Sequence, residues 1–224
     1  AASDVYKRQP YGSAIADFDC DGDLDVFQFS PFNRVNFSIF EGVRFFSNIG
    51  KGTFKDVTER VQIVSQAAFS AAFADVNGDF YLDLFVGYRN FWHGRKLKHD
   101  GFLPLIYLSE NGTAFRPCPE CLSLPRGVFI EGGVFADLDN DGDLDLYLAV
   151  SEILDEETMT RSDPVNKLFL NDGNGNFIDF TESSGAGCAY PTQAVLAEDF
   201  DLDGDVDLYV VSGSIAQDET QWYC

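Results

Sequence analysis

The sequence predicts an all-β protein built from a repeated unit of four antiparallel strands. An acidic nine-residue motif occurs four times, and successive copies begin 58, 62 and 62 residues apart. The copies begin at Asp17, Asp75, Asp137 and Asp199. Short runs of β-branched, aromatic and leucine residues precede and follow each copy, which is typical of strands buried on both faces. A glycine-turn hairpin motif, ending in Phe54, Phe115 and Phe177, repeats at intervals of 61 and 62 residues and supports the same period.

Each unit reads as strand, acidic loop, strand, variable loop, strand, glycine turn and strand. Four antiparallel strands repeated about every 60 residues indicate the blades of a β-propeller. The predicted segments are a non-repeat segment at 1–10, blade 1 at 11–63, blade 2 at 64–125, blade 3 at 126–187 and the first half of blade 4 at 188–224. Propellers have about four to eight blades, so we expect an incomplete propeller of about three and a half blades that does not close alone.

The acidic motif has the composition of a calcium-binding loop. In the third unit, carboxylates stand at positions 1, 3, 5, 7 and 9, and Gly142 stands at position 6. So many like charges repel one another unless a cation lies among them, and Ca²⁺ accepts about six to eight oxygen ligands in irregular geometry. The expected ligands are the side chains at positions 1, 3, 5 and 9 and the backbone carbonyl of position 7, while Gly142 permits the positive φ of the turn. The alternative is an acidic turn without metal.

The same five positions in all four loops form the predicted metal sites, for up to four Ca²⁺ ions. These residues are Asp17, Asp19, Asp21, Asp23, Asp25, Asp75, Asn77, Asp79, Tyr81, Asp83, Asp137, Asp139, Asp141, Asp143, Asp145, Asp199, Asp201, Asp203, Asp205 and Asp207. An EF-hand is excluded because the flanks are strands and no loop has the required Glu at position 12.

Loop 75–83 is predicted to bind Ca²⁺ most weakly. Asn77 removes one carboxylate, and Phe80 stands where glycine is expected. A left-handed turn at a bulky residue costs about 1–2 kcal/mol. Both differences act against cation binding at this loop.

These loops, together with hairpins such as the one at 168–177, resemble the FG-GAP/VCBS repeats that form the integrin α-subunit propeller. The segments 166–171 and 179–181 are most similar to the ASPIC/UnbV group of secreted acidic proteins. The resemblance covers residues 11–224. It implies structural Ca²⁺ in the inter-strand loops, an extracellular or cell-surface location, and a role as a recognition or adhesion platform.

The variable loops are the predicted recognition surface. Strands alternate in direction, so loops 28–43, 87–103 and 151–166 are expected on the face opposite the acidic loops and glycine hairpins. Varied loops on a rigid scaffold commonly carry recognition, and we expect an extracellular protein or glycan ligand there. The first two loops are rich in aromatic residues, namely Phe29, Phe32, Phe37, Phe40, Tyr88, Phe91 and Trp92. The alternative is that several of these residues only cap the blades.

Composition argues against other functions. The chain has 37 acidic and 15 basic residues, for a net charge of −22, whereas nucleic-acid binding requires clustered Lys and Arg. No run approaches the ~18 apolar residues of a membrane span. The absence of a Gly-x-Ser-x-Gly elbow, a phosphate loop or a His-rich cluster predicts no enzyme. The alternatives are a propeller within a larger polysaccharide-active hydrolase or lyase, and a purely structural repeat of a large adhesin.

Cys118 and Cys121 are the one close pair among five cysteines. A zinc site would need a second such pair, and a redox centre would need a βαβ context. A local disulfide and two free thiols remain as the two interpretations.

Overall fold

The computed structural model describes residues 12–29, 43–63, 68–88, 92–93, 96–97, 105–125, 127–155, 158 and 160–213. Within them the chain forms three antiparallel sheets of four, four and five strands, each with its four main strands in chain order, and two two-stranded sheets. This confirms the predicted fold class, an all-β incomplete propeller. No helix in these ranges is long and apolar enough to cross a membrane.

The first sheet contains β1 (Gly12–Ala16), β2 (Asp25–Phe29), β3 (Val43–Asn48) and β4 (Phe54–Asp56), in that order. The first acidic loop joins β1 to β2, and a glycine turn joins β3 to β4. A four-residue helix that the sequence analysis did not predict, α1 (Thr58–Val61), follows the sheet.

The second sheet repeats this arrangement. Its strands are β5 (Ala68–Ala74), β6 (Asp83–Tyr88), β9 (Leu105–Ser109) and β10 (Phe115–Cys118). Between β6 and β9, the two-residue strands β7 (Trp92–His93) and β8 (Lys96–Leu97) form a separate ribbon. Cys118 at the end of β10 is bonded to Cys121. Of the two interpretations of this pair, the local disulfide is therefore the one observed.

The third sheet has one addition. Its strands are β11 (Val128–Ala136), β12 (Asp145–Asp155), β14 (Lys167–Asn171) and β15 (Phe177–Asp179), and β13 (Thr160–Ser162) pairs with the far end of β12. The prediction of a variable loop over 151–166 is therefore partly wrong, because β12 continues to Asp155 and forms a hairpin with β13. The short helix α2 (Thr181–Ser184) follows, and β16 (Thr192–Glu198) and β17 (Asp207–Ser212) form the last sheet.

The hydrophobic cores lie between successive sheets. Phe18, Phe27 and Phe45 of the first unit are buried in one cluster with Phe115 of the second, and the rings of Phe45 and Phe115 are 5.5 Å apart. Phe177 of the third unit lies in the next cluster, which includes residues of the second. Phe115 and Phe177 therefore each pack on the preceding unit, and this contact explains why the motif repeats with the propeller period.

Burial on both faces is confirmed only for the central strands. All six residues of β6 are buried, as are the first six of β12. In β2 and β17 the burial alternates along the strand, so the prediction is wrong there. The reason is positional: within the described residues, a neighbouring sheet covers only one side of the first and last sheets. Phe54 is 47% exposed for the same reason, whereas Phe115 is 3% exposed.

Two of the aromatic residues assigned to the recognition loops belong to the core instead. Phe29 ends β2 and Tyr88 ends β6, and they are 7% and 2% exposed. Their assignment to a ligand-binding surface is wrong, because their side chains point between sheets. Phe32, Phe37, Phe40, Phe91 and the side chain of Trp92 lie outside the described residues.

Candidate metal centre

Three of the four acidic loops bring carboxylate oxygens together. Within each group, one ligand atom from every residue lies within 4.8 Å of the others. The groups are Asp17 with Asp19 and Asp25, Asp137 with Asp139 and Asp145, and Asp199 with Asp201 and Asp203. The other predicted carboxylates of these loops are not in the groups, namely Asp21, Asp23, Asp141, Asp143, Asp205 and Asp207. Three residues of each predicted set therefore form a cluster of acidic oxygens that could hold a metal ion, and the full ligand sets stay a prediction.

The carboxylate at position 1 closes each loop. Asp137 accepts hydrogen bonds from the backbone N–H groups of Asp141 and Gly142, both at 3.1 Å. The first and fourth loops make the same two bonds. Position 1 thus fixes the turn and is also a member of the carboxylate group.

The carboxylate at position 9 ties the loop to the next strand. Asp145 is 0% exposed and accepts hydrogen bonds from the N–H groups of Leu138 and Asn171, both at 2.9 Å. Asp25 and Asp83 make the corresponding pairs of bonds in the first two units. The sequence analysis missed these partners from β3, β9 and β14, because no local pattern shows which backbone N–H a distant carboxylate accepts.

The turn needs a left-handed residue at position 4 as well as at position 6. In the third loop Asn140 has φ 61° and Gly142 has φ 97°. The second loop places its glycine at position 4, where Gly78 has φ 73°, and leaves Phe80 at position 6 with φ 72°. The predicted strain at Phe80 is confirmed. The need at position 4 was missed, although the displaced glycine of the second loop was a signal for it.

Replacing Phe80 with glycine is expected to stabilise the chain by about 1 kcal/mol, because glycine adopts positive φ without the steric cost. Phe80 is 90% exposed, so little buried surface is lost. Urea denaturation would measure the change. Phe80→Ala is the matched control, since alanine removes the ring and keeps the strain. Equal stabilities for the two variants would contradict the assignment of strain to this residue.

The second loop is the least acidic. Its position 3 is Asn77, whose Nδ2 donates to Oδ2 of Asp79 at 3.2 Å. An amide supplies a neutral oxygen, so the attraction for a cation is weaker than in the other loops. The weakest calcium binding at 75–83 therefore stays a prediction.

Burial raises the pKa of the position-9 carboxyls in the first three loops. The pKa of Asp83 is raised to about 6, first by burial and then by the charges of Asp79 and Asp75, against the lowering effect of its two backbone hydrogen bonds. Burial likewise raises the pKa of Asp25 and of Asp145. Keeping these buried carboxyls ionised therefore costs free energy, which a bound cation would offset.

Without metal, the melting temperature is expected to rise as the pH falls from 7 to 5. Since the folded-state pKa of Asp83 lies above the unfolded value, its contribution to stability is lost as the pH rises through about 6 and is regained below it. Thermal melts in EDTA would measure this. In saturating Ca²⁺ the trend should reverse, because protons then compete with the ion. A lower melting temperature at pH 5 than at pH 7 in EDTA would contradict this account.

The oxygen donors fit a hard cation such as Ca²⁺. Oδ1 of Asp19 is buried and has no hydrogen-bond partner among the described residues, although it belongs to a residue of the first group. Such an oxygen normally has a partner, and a cation shared with Asp17 and Asp25 would supply one. All the grouped ligands are carboxylates. These hard oxygen donors suit Ca²⁺ better than they suit the softer transition metals.

Comparison with known proteins agrees with the repeat architecture. Residues 155–210 match the FG-GAP-like repeat family. The structure is also similar to an Agrocybe aegerita lectin that specifically recognises non-reducing terminal N-acetylglucosamine, with 18% sequence identity and a TM-score of 0.47. That similarity covers 88% of this chain and 45% of the lectin chain, so this chain spans less than half of it. A search of curated proteins found no match. Residues 155–210 thus match one FG-GAP-like repeat, and the successive four-stranded antiparallel sheets give the chain the fold of an incomplete β-propeller.

Proposed function

We propose that this chain is a calcium-binding, extracellular β-propeller module that recognises a protein or a glycan and does not itself catalyse a reaction. The observation that carries the calcium proposal is a group of three carboxylates in each of three units, with oxygens within 4.8 Å of one another. The group uses positions 1, 3 and 9 in the first and third loops and positions 1, 3 and 5 in the fourth. A single acidic cluster is common without a metal. Recurrence at the propeller period gives the three loops one shared role.

The role of the ion is structural. The acidic loops lie at the joints between units: a Cβ added to Gly112 of the second unit would lie 3.0 Å from Cα of Asp19 in the first. At the next joint, Nδ2 of Asn171 donates to the carbonyl of Val76 at 2.8 Å. An ion that fixes the loop therefore also fixes the surface on which the next hairpin packs.

Recognition is proposed for the variable-loop face, opposite the acidic loops. The support is the resemblance of the repeats to those of adhesion propellers, together with the general use of varied loops on a rigid scaffold for recognition. The support for an extracellular location is the same resemblance, together with the use that extracellular modules make of calcium sites in calcium-rich surroundings. The similarity of segments 166–171 and 179–181 to the ASPIC/UnbV group stays a prediction.

Two measurements test the two parts of the proposal. Isothermal titration of the metal-free chain with CaCl₂ should give a stoichiometry of at least three, and the variant Asp137→Asn should lose one site. No binding at millimolar Ca²⁺ would overturn the calcium part. A glycan array and a cell-surface binding assay, each with Ca²⁺ and with EDTA, should show calcium-dependent binding. The absence of binding in both formats would overturn the recognition part only.

A further inference from the structure

The first carboxylate group has a positively charged side chain, that of Arg60, beside it. Nη2 of Arg60 lies 3.3 Å from Oδ2 of Asp19, and the hydroxyl of Ser47 donates to the same oxygen at 3.2 Å. The other oxygen, Oδ1, is buried without a partner among the described residues. Asp19 therefore presents one oxygen to Arg60 and leaves one for a metal ion.

Arg60 is held in place by its surroundings. It belongs to α1, directly after the hairpin of the first unit, and its guanidinium carbon lies 6.0 Å from the centre of the Phe18 ring. Phe18 is 1% exposed and so is fixed in the core. A guanidinium over an aromatic ring gains a favourable cation–π interaction. The Arg60 side chain is 47% exposed, so these two contacts, and not burial, place its positive charge beside the acidic loop.

The third loop lacks this arrangement. Thr58 and Thr181 begin the short helices that follow the first and third sheets. When the two units are aligned on these residues, Ser47 and Arg60 correspond to Leu170 and Ser183, neither of which is charged. Asp139, the counterpart of Asp19, is exposed. Two loops with nearly the same acidic motif therefore differ in one positive charge, which comes from outside the motif.

We propose that Arg60 sets the calcium affinity of the first loop. Its charge offsets part of the carboxylate repulsion when the metal is absent, and it repels a divalent cation that binds beside Asp19. The first loop consequently depends less on Ca²⁺ for its fold and binds Ca²⁺ more weakly than the third loop. This inference rests on the proposed calcium binding and adds an order in which the sites fill.

Calcium titrations followed by NMR test it site by site. The amide signals of Gly22 and Gly142, at position 6 of the first and third loops, report the two affinities within one protein. In the wild type, Gly142 should respond at lower Ca²⁺ than Gly22. Arg60→Ala should tighten binding at Gly22 by roughly threefold or more, leave Gly142 unchanged, and lower the melting temperature in EDTA. Arg60→Lys should retain most of the wild-type behaviour.

Arg161→Ala is the matched control. Arg161 forms an ion pair with Glu152 at 2.7 Å, and Glu152 belongs to none of the three candidate metal groups. The substitution therefore takes one positive charge from the protein without changing a contact of those groups. It should leave both glycine titrations unchanged. Unchanged or weaker binding at Gly22 in Arg60→Ala, with normal binding at Gly142, would overturn this inference alone. If Ca²⁺ shifts neither glycine in the wild type, the proposed calcium binding is overturned and this inference with it.

Discussion

Saturating Ca²⁺ is expected to raise the melting temperature by about 15 °C or more over the value in excess EDTA. A ligand at about 100 times its Kd stabilises the folded state by about 2.7 kcal/mol per site, and three carboxylate groups are present. The sum for three sites is about 8 kcal/mol. For a chain of this size, each kcal/mol of stability raises the melting temperature by roughly 2–4 °C. The net charge of −22 adds a repulsion that the bound ions reduce.

The controls separate specific binding from general screening. NaCl at matched ionic strength should reproduce only a small part of the shift, and Mg²⁺ should be less effective because it requires near-octahedral geometry. Asp137→Asn, which weakens the third group, should reduce the calcium-dependent shift by about one third. Identical melts in Ca²⁺ and EDTA would count directly against a structural role for the ion.

Replacing Asp145 with alanine is expected to cost about 3 kcal/mol or more even in EDTA. The substitution leaves the part-buried N–H of Leu138 and the buried N–H of Asn171 without the acceptor that both now use at 2.9 Å, at about 1–3 kcal/mol for each unsatisfied group. Urea denaturation with EDTA present would measure this cost apart from any effect on metal binding.

Asp207 provides the matched control within the same chain. It stands at the same position of the fourth loop, but it is exposed and, among the described residues, accepts one hydrogen bond, from the Phe200 N–H at 3.1 Å. Asp207→Ala should therefore cost less than about 1 kcal/mol. Similar losses for the two variants would show that position 9 acts through charge alone and not through the buried hydrogen bonds.

The repeat made most of the fold predictable from the sequence. The acidic motifs and the hairpin phenylalanines recur at one period, so strand order within a unit could be inferred from any copy and checked against the others. Helix α1 (Thr58–Val61) was missed because a four-residue helix has no hydrophobic period to detect. The continuation of β12 to Asp155 was missed because an acidic segment resembles a loop, although its last three residues, 153–155, pair with β13.

The candidate site was predictable only in part. The motif placed Asp137, Asp139 and Asp145 in one loop, because a short loop must bring its own side chains close together. It could not identify the contact of Arg60 with Asp19, which joins residues 41 apart in sequence, or the acceptance of the Asn171 N–H by Asp145. Such contacts depend on how a hairpin or a helix packs against the loop, and this is determined by the tertiary structure.

Anomalous X-ray diffraction from crystals grown with Ca²⁺ tests the central claim most directly. The account predicts an anomalous peak between the carboxylates of Asp137, Asp139 and Asp145, with equivalent peaks at the first and fourth loops. Peaks that disappear in crystals soaked in EDTA would confirm the sites. A well-ordered third loop with water and no anomalous peak at saturating Ca²⁺ would contradict the account.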